Sequence, residues 1–199
     1  MQVIEWLKFL DTGLPLEGKF SSMTVGIFDG VHLGHQALLE KIVSHNANFV
    51  PVVVTFRQTH KTGNENTEQN NIQTFQQRLT IFENAGIQIT IVIDFTETFM
   101  KMPGLEFLEI LLKHGKVGFF AVGNNFRCGY RLDTDAAAVK NYFASRDIPV
   151  EIVPEVCYPA DGIEDSVPIS SSRIRAAISA GDFALAQVML GGERHLART

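Results

Sequence analysis

Five short runs dense in Val, Ile and Phe alternate along the chain with longer stretches in which apolar residues recur every three or four positions. The runs at 23–28, 50–56, 89–94, 117–122 and 150–153 predict strands, because their length and β-branched and aromatic content suit a buried sheet. The periodic stretches at 34–46, 74–85, 105–114, 135–146, 171–180 and 183–190 predict helices, each ending near a glycine or a polar residue. Alternation of this kind predicts an α/β fold, a Rossmann-like parallel sheet with helices on both faces. Ligands of such sheets collect beyond the carboxyl ends of the strands. Between the second strand and second helix, positions 58–71 are polar and aperiodic. Two readings of them stand, a mobile loop over a site and a solvated connection without a role. No internal repeat is evident.

The junction of the first strand and first helix carries the densest chemistry. Positions 25–35 read Val-Gly-Ile-Phe-Asp-Gly-Val-His-Leu-Gly-His, which sets His32 and His35 three apart at a helix start. A helix N-terminus presents unpaired N–H groups and partial positive charge, so a triphosphate can sit there with the histidines as further donors. Two glycines beside the histidines let a phosphate approach the backbone. Positions 169–175 read Ile-Ser-Ser-Ser-Arg-Ile-Arg and open another helix. The hydroxyls of Ser171 and Ser172 can cap that helix or donate to phosphate, and Arg175 brings a planar fork of donors. A third segment, 122–130, follows an apolar strand and contains Gly123, Asn125 and Phe126. Plainer readings exist for each: helix-start histidines with satisfied hydrogen bonds, a serine N-cap beside a solvated arginine, and a Gly/Asn turn.

Composition narrows the functional classes. A chain of 199 residues with 45% apolar content supports one domain with a sizeable core, expected over 1–199. A net charge of −5 argues against non-specific nucleic-acid binding, for which a basic face is needed. The first residues lack a basic region followed by a long apolar one, and no stretch approaches a membrane span in length, so a cytoplasmic location is expected. Cys128 and Cys157 form neither a disulfide framework nor a metal-binding pair and are read as reduced.

Together the histidine pair and its surroundings resemble the HxGH signature of the nucleotidylyltransferase superfamily. The longer string is most similar to GxFDGVHxGH of bacterial FAD synthetases, the FMN adenylyltransferase domain of the bifunctional riboflavin kinase/FAD synthetase family. Positions 169–175 resemble that family's ISSTxIR motif and 123–129 its GxNFxFG loop, and the likeness runs from 22 to 192. The resemblance implies adenylyl transfer from ATP to FMN, giving FAD and pyrophosphate. It implies phosphate contacts from His32 and His35, β- and γ-phosphate contacts from Ser171, Ser172 and Arg175, and orientation of the ligand by Asn125. Gly26, Phe28, Asp29, Gly30, Gly34, Gly123 and Phe126 would complete the binding surface. Mg²⁺ would bridge the phosphates with no protein metal ligand, no nucleic acid or membrane partner is implied, and the riboflavin kinase domain is not expected in this chain. The chain departs from the family pattern at Arg57-Gln58-Thr59-His60, where Pro-His-Pro is usual, at Cys128, which replaces the loop's second aromatic, and at Pro168, where many members carry arginine. Two other functions fit the same residues, a nucleotidylyltransferase with a different phosphate-ester acceptor and a non-catalytic flavin- or nucleotide-binding module.

Overall fold

The computed structural model describes residues 1–45, 47–58, 71–158 and 167–192. Its strands are β1 (Gln2–Glu5), β2 (Phe20–Val25), β3 (Phe49–Phe56), β4 (Ile89–Ile93), β5 (Val117–Gly123), β6 (Arg127–Cys128), β7 (Thr134–Asp135), β8 (Val150–Val153), β9 (Cys157–Tyr158) and β10 (Val167–Pro168). The helices are α1 (Trp6–Thr12), α2 (Leu33–Val43), α3 (Phe75–Asn84), α4 (Glu97–Met100), α5 (Gly104–Gly115), α6 (Ala136–Ala144), α7 (Ser171–Ser179) and α8 (Phe183–Leu190).

Strand β3 is buried at every position but its first, which is what an almost continuous apolar run demands. It lies inside a six-stranded sheet of order β1-β4-β3-β2-β5-β8 in which every pairing is parallel. Side chains alternate across the sheet. Met23 and Val25 of β2 join Phe9 of α1, Leu108 and Leu111 of α5 and Phe143 of α6 in one buried cluster. On the other face Val53, Phe119 and Ala121 pack against Leu38, Leu39 and Ile42 of α2 and Leu79 and Phe82 of α3. Ser22 of β2 points the same way and donates to the carbonyl of Ile42 at 2.6 Å, whereas Ser21 faces α5 and donates to the carbonyl of Gly115 at 2.7 Å. Helices therefore cover both faces. A third, smaller cluster of Ile169, Ile174, Ala177, Ala186 and Met189 holds α7 and α8 together and reaches Leu33 and Ile72.

All five predicted strands and six predicted helices are present, β8 and α8 with the expected ends and the others with shifted ones. The first predicted strand, 23–28, is displaced: β2 spans Phe20–Val25, and Phe28 turns left-handed at φ +54. Gly26 still donates to the carbonyl of Val54 at 3.1 Å, so the ladder closes before the chain leaves the sheet. Strand β1 and helix α1 were not expected, because four residues with only Ile4 buried carry no periodicity. Helix ends are chemically marked. Thr74 and Gln77 form a reciprocal capping box on α3, and Asp135 caps α6 through the N–H of Ala138 at 2.9 Å. Of the polar segment 58–71, positions 59–70 lie outside the described residues, and with them Thr59 and His60. Among the described residues no helix is long and apolar enough to cross a membrane.

Candidate active site

Strand order reverses at β2, whose neighbours β3 and β5 are reached in opposite directions, and the crevice beyond the carboxyl ends of β2 and β5 is where such a sheet binds ligands. The loop after β2 delivers the histidines there. His32 is the N-cap residue of α2 and makes no side-chain cap, and no acidic residue occupies the helix's first turn, so the helix start remains available to an anion.

The two imidazoles stack with ring centroids 3.8 Å apart and planes 22° apart. Burial lowers the pKa of His32 to about 4, and burial, followed by the neighbouring His32, holds His35 well below 6.5. At neutral pH the pair is uncharged, so each ring offers one N–H rather than a cation. The Nδ1 atoms of both are buried without a hydrogen-bond partner, an arrangement that costs stability and is concentrated at functional sites.

Beneath the pair lies Phe28. Its ring is 1% exposed and meets His35 edge-on at 5.0 Å and Phe82 at 5.4 Å. A Cβ at Gly34 would lie 3.2 Å from the His32 ring, so any larger residue there would have to displace the stacked pair by a few tenths of an ångström. Gly30 combines a φ of +75 with a contact of 2.8 Å between any added Cβ and Ile72. Asp29, 3% exposed, is a hub. Its Oδ1 accepts from the N–H groups of Ile72 at 3.0 Å and Gln73 at 3.4 Å, and its Oδ2 pairs with Arg175 Nη1 at 2.7 Å. Its carbonyl accepts from the hydroxyl of Ser171 at 2.7 Å. Phe28 and Asp29, expected from the sequence among the binding residues, both have buried side chains, one packing against His35 and the other joining α7 to the histidine loop.

The Ser-Ser-Ser-Arg-Ile-Arg segment is thus brought to the histidines from 140 residues away by Asp29. Its N-cap is Ser170, whose side chain accepts from the N–H of Arg173. Ser171 is free of that task and bonds Asp29, Ser172 is exposed on the first turn, and Arg175 is a third exposed. Pro168, at the position of an expected arginine, pairs with Cys157 in the β9–β10 ribbon.

Next to the histidine loop opens a cavity of about 340 Å³. Its floor is Val25, Gly26 and Ile27, one wall is Phe56, Phe95, Phe99 and Phe107, and the other is Asn125, Phe126, Cys128 and Leu132. Phe56 and Phe95 are parallel to within 3° at 4.4 Å, and Phe99 stands edge-on to Phe56 and Phe107, at 5.7 Å from each. Cys128 therefore does not leave the site without aromatic surface, since four phenyl rings come from other elements. Burial, aided by Asp133, pushes its thiol pKa up to about 12 and leaves it unreactive. The wall containing Cys128 is held in a strained form, Arg131 and Leu132 both being left-handed at φ +56 and +60. Gly123 ends β5, its carbonyl accepts from the N–H of Phe126 at 3.0 Å, and the Asn125 amide reaches Glu155 at 3.4 Å. The structure gathers the candidates into two adjoining groups, His32, His35, Ser171, Ser172 and Arg175 around Asp29, and Asn125, Phe126 and Gly26 at the cavity.

Sequence reasoning missed Arg78, Phe95 and Phe99. Arg78 has no exposed surface and donates to three main-chain carbonyls under the site. Its signal was present, because Phe75, Arg78, Leu79 and Phe82 share one helical stripe and only one of them is charged. Among the described residues no group of three or more His, Cys, Asp or Glu side chains is placed to hold a metal ion. Both oxygens of Asp29, the one buried carboxylate among them, are already taken.

Comparisons with known proteins agree with this geometry. Residues 16–172 match a family model described as FAD synthetase. A putative bifunctional riboflavin kinase/FMN adenylyltransferase of Geobacillus thermodenitrificans is 33% identical over 183 residues, 90% of this chain and 93% of that protein. The bifunctional riboflavin kinase/FMN adenylyltransferase of Escherichia coli K12 is 27% identical over 181 residues, 89% of this chain and 55% of that protein. The chain thus spans about half the length of several curated relatives it matches. A crystal structure of a macrolide-efflux protein from Streptococcus pneumoniae superposes with a TM-score of 0.80 at 28% identity, over 96% of this chain and 62% of that one.

Proposed function

The chain belongs to the FAD synthetase family, and from that premise we propose that it transfers the adenylyl group of ATP to FMN, yielding FAD and pyrophosphate. A phosphate oxygen of FMN attacks the α-phosphorus of ATP, a new P–O bond forms, the bond to the bridging oxygen breaks, and pyrophosphate leaves with that electron pair. No covalent enzyme intermediate is required. The protein's contribution is positioning and charge stabilisation, for which well-placed donors supply several kcal/mol.

The observation that carries the reading is the phenyl-lined cavity sharing Gly26 and Ile27 with the histidine loop. A flat, largely apolar ring system fits there, and its phosphate arm then extends toward His32 and His35. A small polar phosphate ester would leave those rings uncovered, which disfavours a different acceptor. The neutral imidazoles and the start of α2 donate to the α-phosphate, and Ser171, Ser172 and Arg175 attend the β- and γ-phosphates. Asn125 orients the ligand at the cavity mouth. Among the described residues no acidic cluster is placed to hold a metal, so Mg²⁺ would come with ATP and would supply charge neutralisation at the phosphates beside His32, His35 and Arg175. The reaction is placed in the cytoplasm, where ATP is supplied.

Incubating the protein with FMN, ATP and Mg²⁺ and separating the flavins chromatographically tests the proposal. FAD formation that depends on both protein and ATP is the expected result. Absence of FAD from a preparation shown to bind ATP would overturn it.

A further inference from the structure

Arg78 of α3 is the largest fully buried side chain among the described residues, and its hydrogen bonds to described residues go only to neutral oxygens. Nη1 donates to the carbonyl of Ile27 at 2.8 Å, the carbonyl of Phe56 at 3.0 Å and the hydroxyl of Thr55 at 3.3 Å. Nη2 donates to the carbonyl of Arg57 at 2.9 Å, and Nε has no partner. Burying a cation on neutral oxygens alone is a poor way to gain stability, because desolvation of the charge exceeds what neutral acceptors return. Burial lowers its pKa to about 10, opposed by the field of Asp29, so it remains charged at neutral pH.

The acceptors explain the expense. The β2–β3 register ends at Val25 and Val54, one further main-chain bond runs from Gly26 to the carbonyl of Val54, and past it the ladder between the two strands stops. Ile27 and Phe56 are the residues that line the cavity just past that divergence, on the floor and on the phenyl wall. Thr55 adds a weak bond to the carbonyl of Ile27 at 3.3 Å, and the Arg78 fork supplies the rest. A guanidinium reaches several carbonyls in one plane, whereas an ammonium is a compact point donor. Phe75 supports the fork from below, its ring centroid lying 5.2 Å from the Arg78 guanidinium carbon.

We infer that Arg78 is a positioning residue that joins the diverging ends of β2 and β3, setting the floor and phenyl wall of the cavity in register with the histidine loop. Its consequence for acceptor binding rests on reading the cavity as the flavin site. The register itself does not.

The test compares wild type with Arg78→Lys, which keeps the charge and removes the fork, and with Phe75→Leu, which keeps the fork and removes its support. Hydrogen exchange is followed by mass spectrometry alongside circular dichroism, and FMN and ATP affinities are measured separately by flavin fluorescence and calorimetry. In folded Arg78→Lys, protection of segments 25–31 and 54–58 falls by roughly tenfold or more while β5 is unchanged. FMN then binds about tenfold more weakly with ATP affinity within about twofold of wild type. Phe75→Leu shows the same pattern at smaller size and decides the matter should the lysine variant not fold. Unchanged protection in both segments overturns the inference. Equal loss of FMN and ATP affinity overturns its acceptor-specific part. A wild type that binds no FMN refutes the flavin reading alone, because the exchange pattern still decides whether Arg78 sets the register.

Discussion

The pair formed by Asp29 and Arg175 joins the histidine loop to α7, and its worth follows from its burial. Asp29 Oδ2 and Arg175 Nη1 are 2.7 Å apart, with the carboxylate side chain 4% exposed and the guanidinium 33% exposed. Removing one partner of a fully buried pair costs about 3–5 kcal/mol, chiefly because the survivor is left charged and dry. Here water reaches the arginine, so the cost falls to the low end of that scale or below it, and Arg175→Ala is expected to cost about 2–3 kcal/mol. For a chain of this size that is a fall in Tm of about 4–12 °C. Asp29→Asn keeps an oxygen for the N–H groups of Ile72 and Gln73 and loses only the charge, so its penalty should be smaller. The assay is a double-mutant cycle in urea with Asp29→Asn, Arg175→Ala and the double variant, run beside KM values for ATP. A coupling energy of about 1 kcal/mol or more and a raised ATP KM in both single variants are expected. Coupling below about 0.3 kcal/mol, with both melting temperatures at the wild-type value, would refute the view that this pair seats α7 on the histidine loop.

His32→Ala should lower turnover by about 10² or more, since it removes a donor at the reacting phosphate, and an unchanged rate would sink the assignment. Because the folded-state pKa of His32 is about 4 against 6.5 when unfolded, the unfolded chain binds more protons between those values. Stability is accordingly complete above pH 6.5 and declines as pH falls toward 4, by on the order of 3 kcal/mol from this residue; urea titrations of wild type and His32→Gln from pH 4.5 to 7 should show a flatter slope in the variant. Phe95→Leu removes the partner of the 4.4 Å parallel stack with Phe56 and should weaken FMN binding about tenfold without altering the ATP KM. Iodoacetamide at neutral pH should label the exposed Cys157 well before Cys128, read by peptide mass mapping.

How far the molecule could be read before folding varied by element. The central strands were legible because each is buried on both faces and writes an unbroken apolar run, as β3 and β4 do. Edge strand β1 was not, since a strand with one buried residue has no pattern to show. The histidine and serine motifs were legible as chemistry, yet their partners were not. Asp29 resembled a ligand-facing loop residue until its four contacts to the 72–73 backbone, Ser171 and Arg175 appeared. The departure at Cys128 suggested a loss of aromatic surface, and Phe95 and Phe99 line the same cavity from beyond the end of β4 and from α4.

Local spacing by itself determined that His32 and His35 share a helix start after a strand, that β strands and helices alternate, and that a serine-arginine segment opens a late helix. Those are properties of neighbours in the chain, set by helical and strand periods. Tertiary structure alone decided that Asp29 would gather residues some 140 positions apart, that four phenyl rings from separate elements would share one cavity, and that Arg78 would turn inward. Burial is a property of what packs from elsewhere: the same arginine on the same helix would be a solvated surface residue without the diverging ends of β2 and β3 above it.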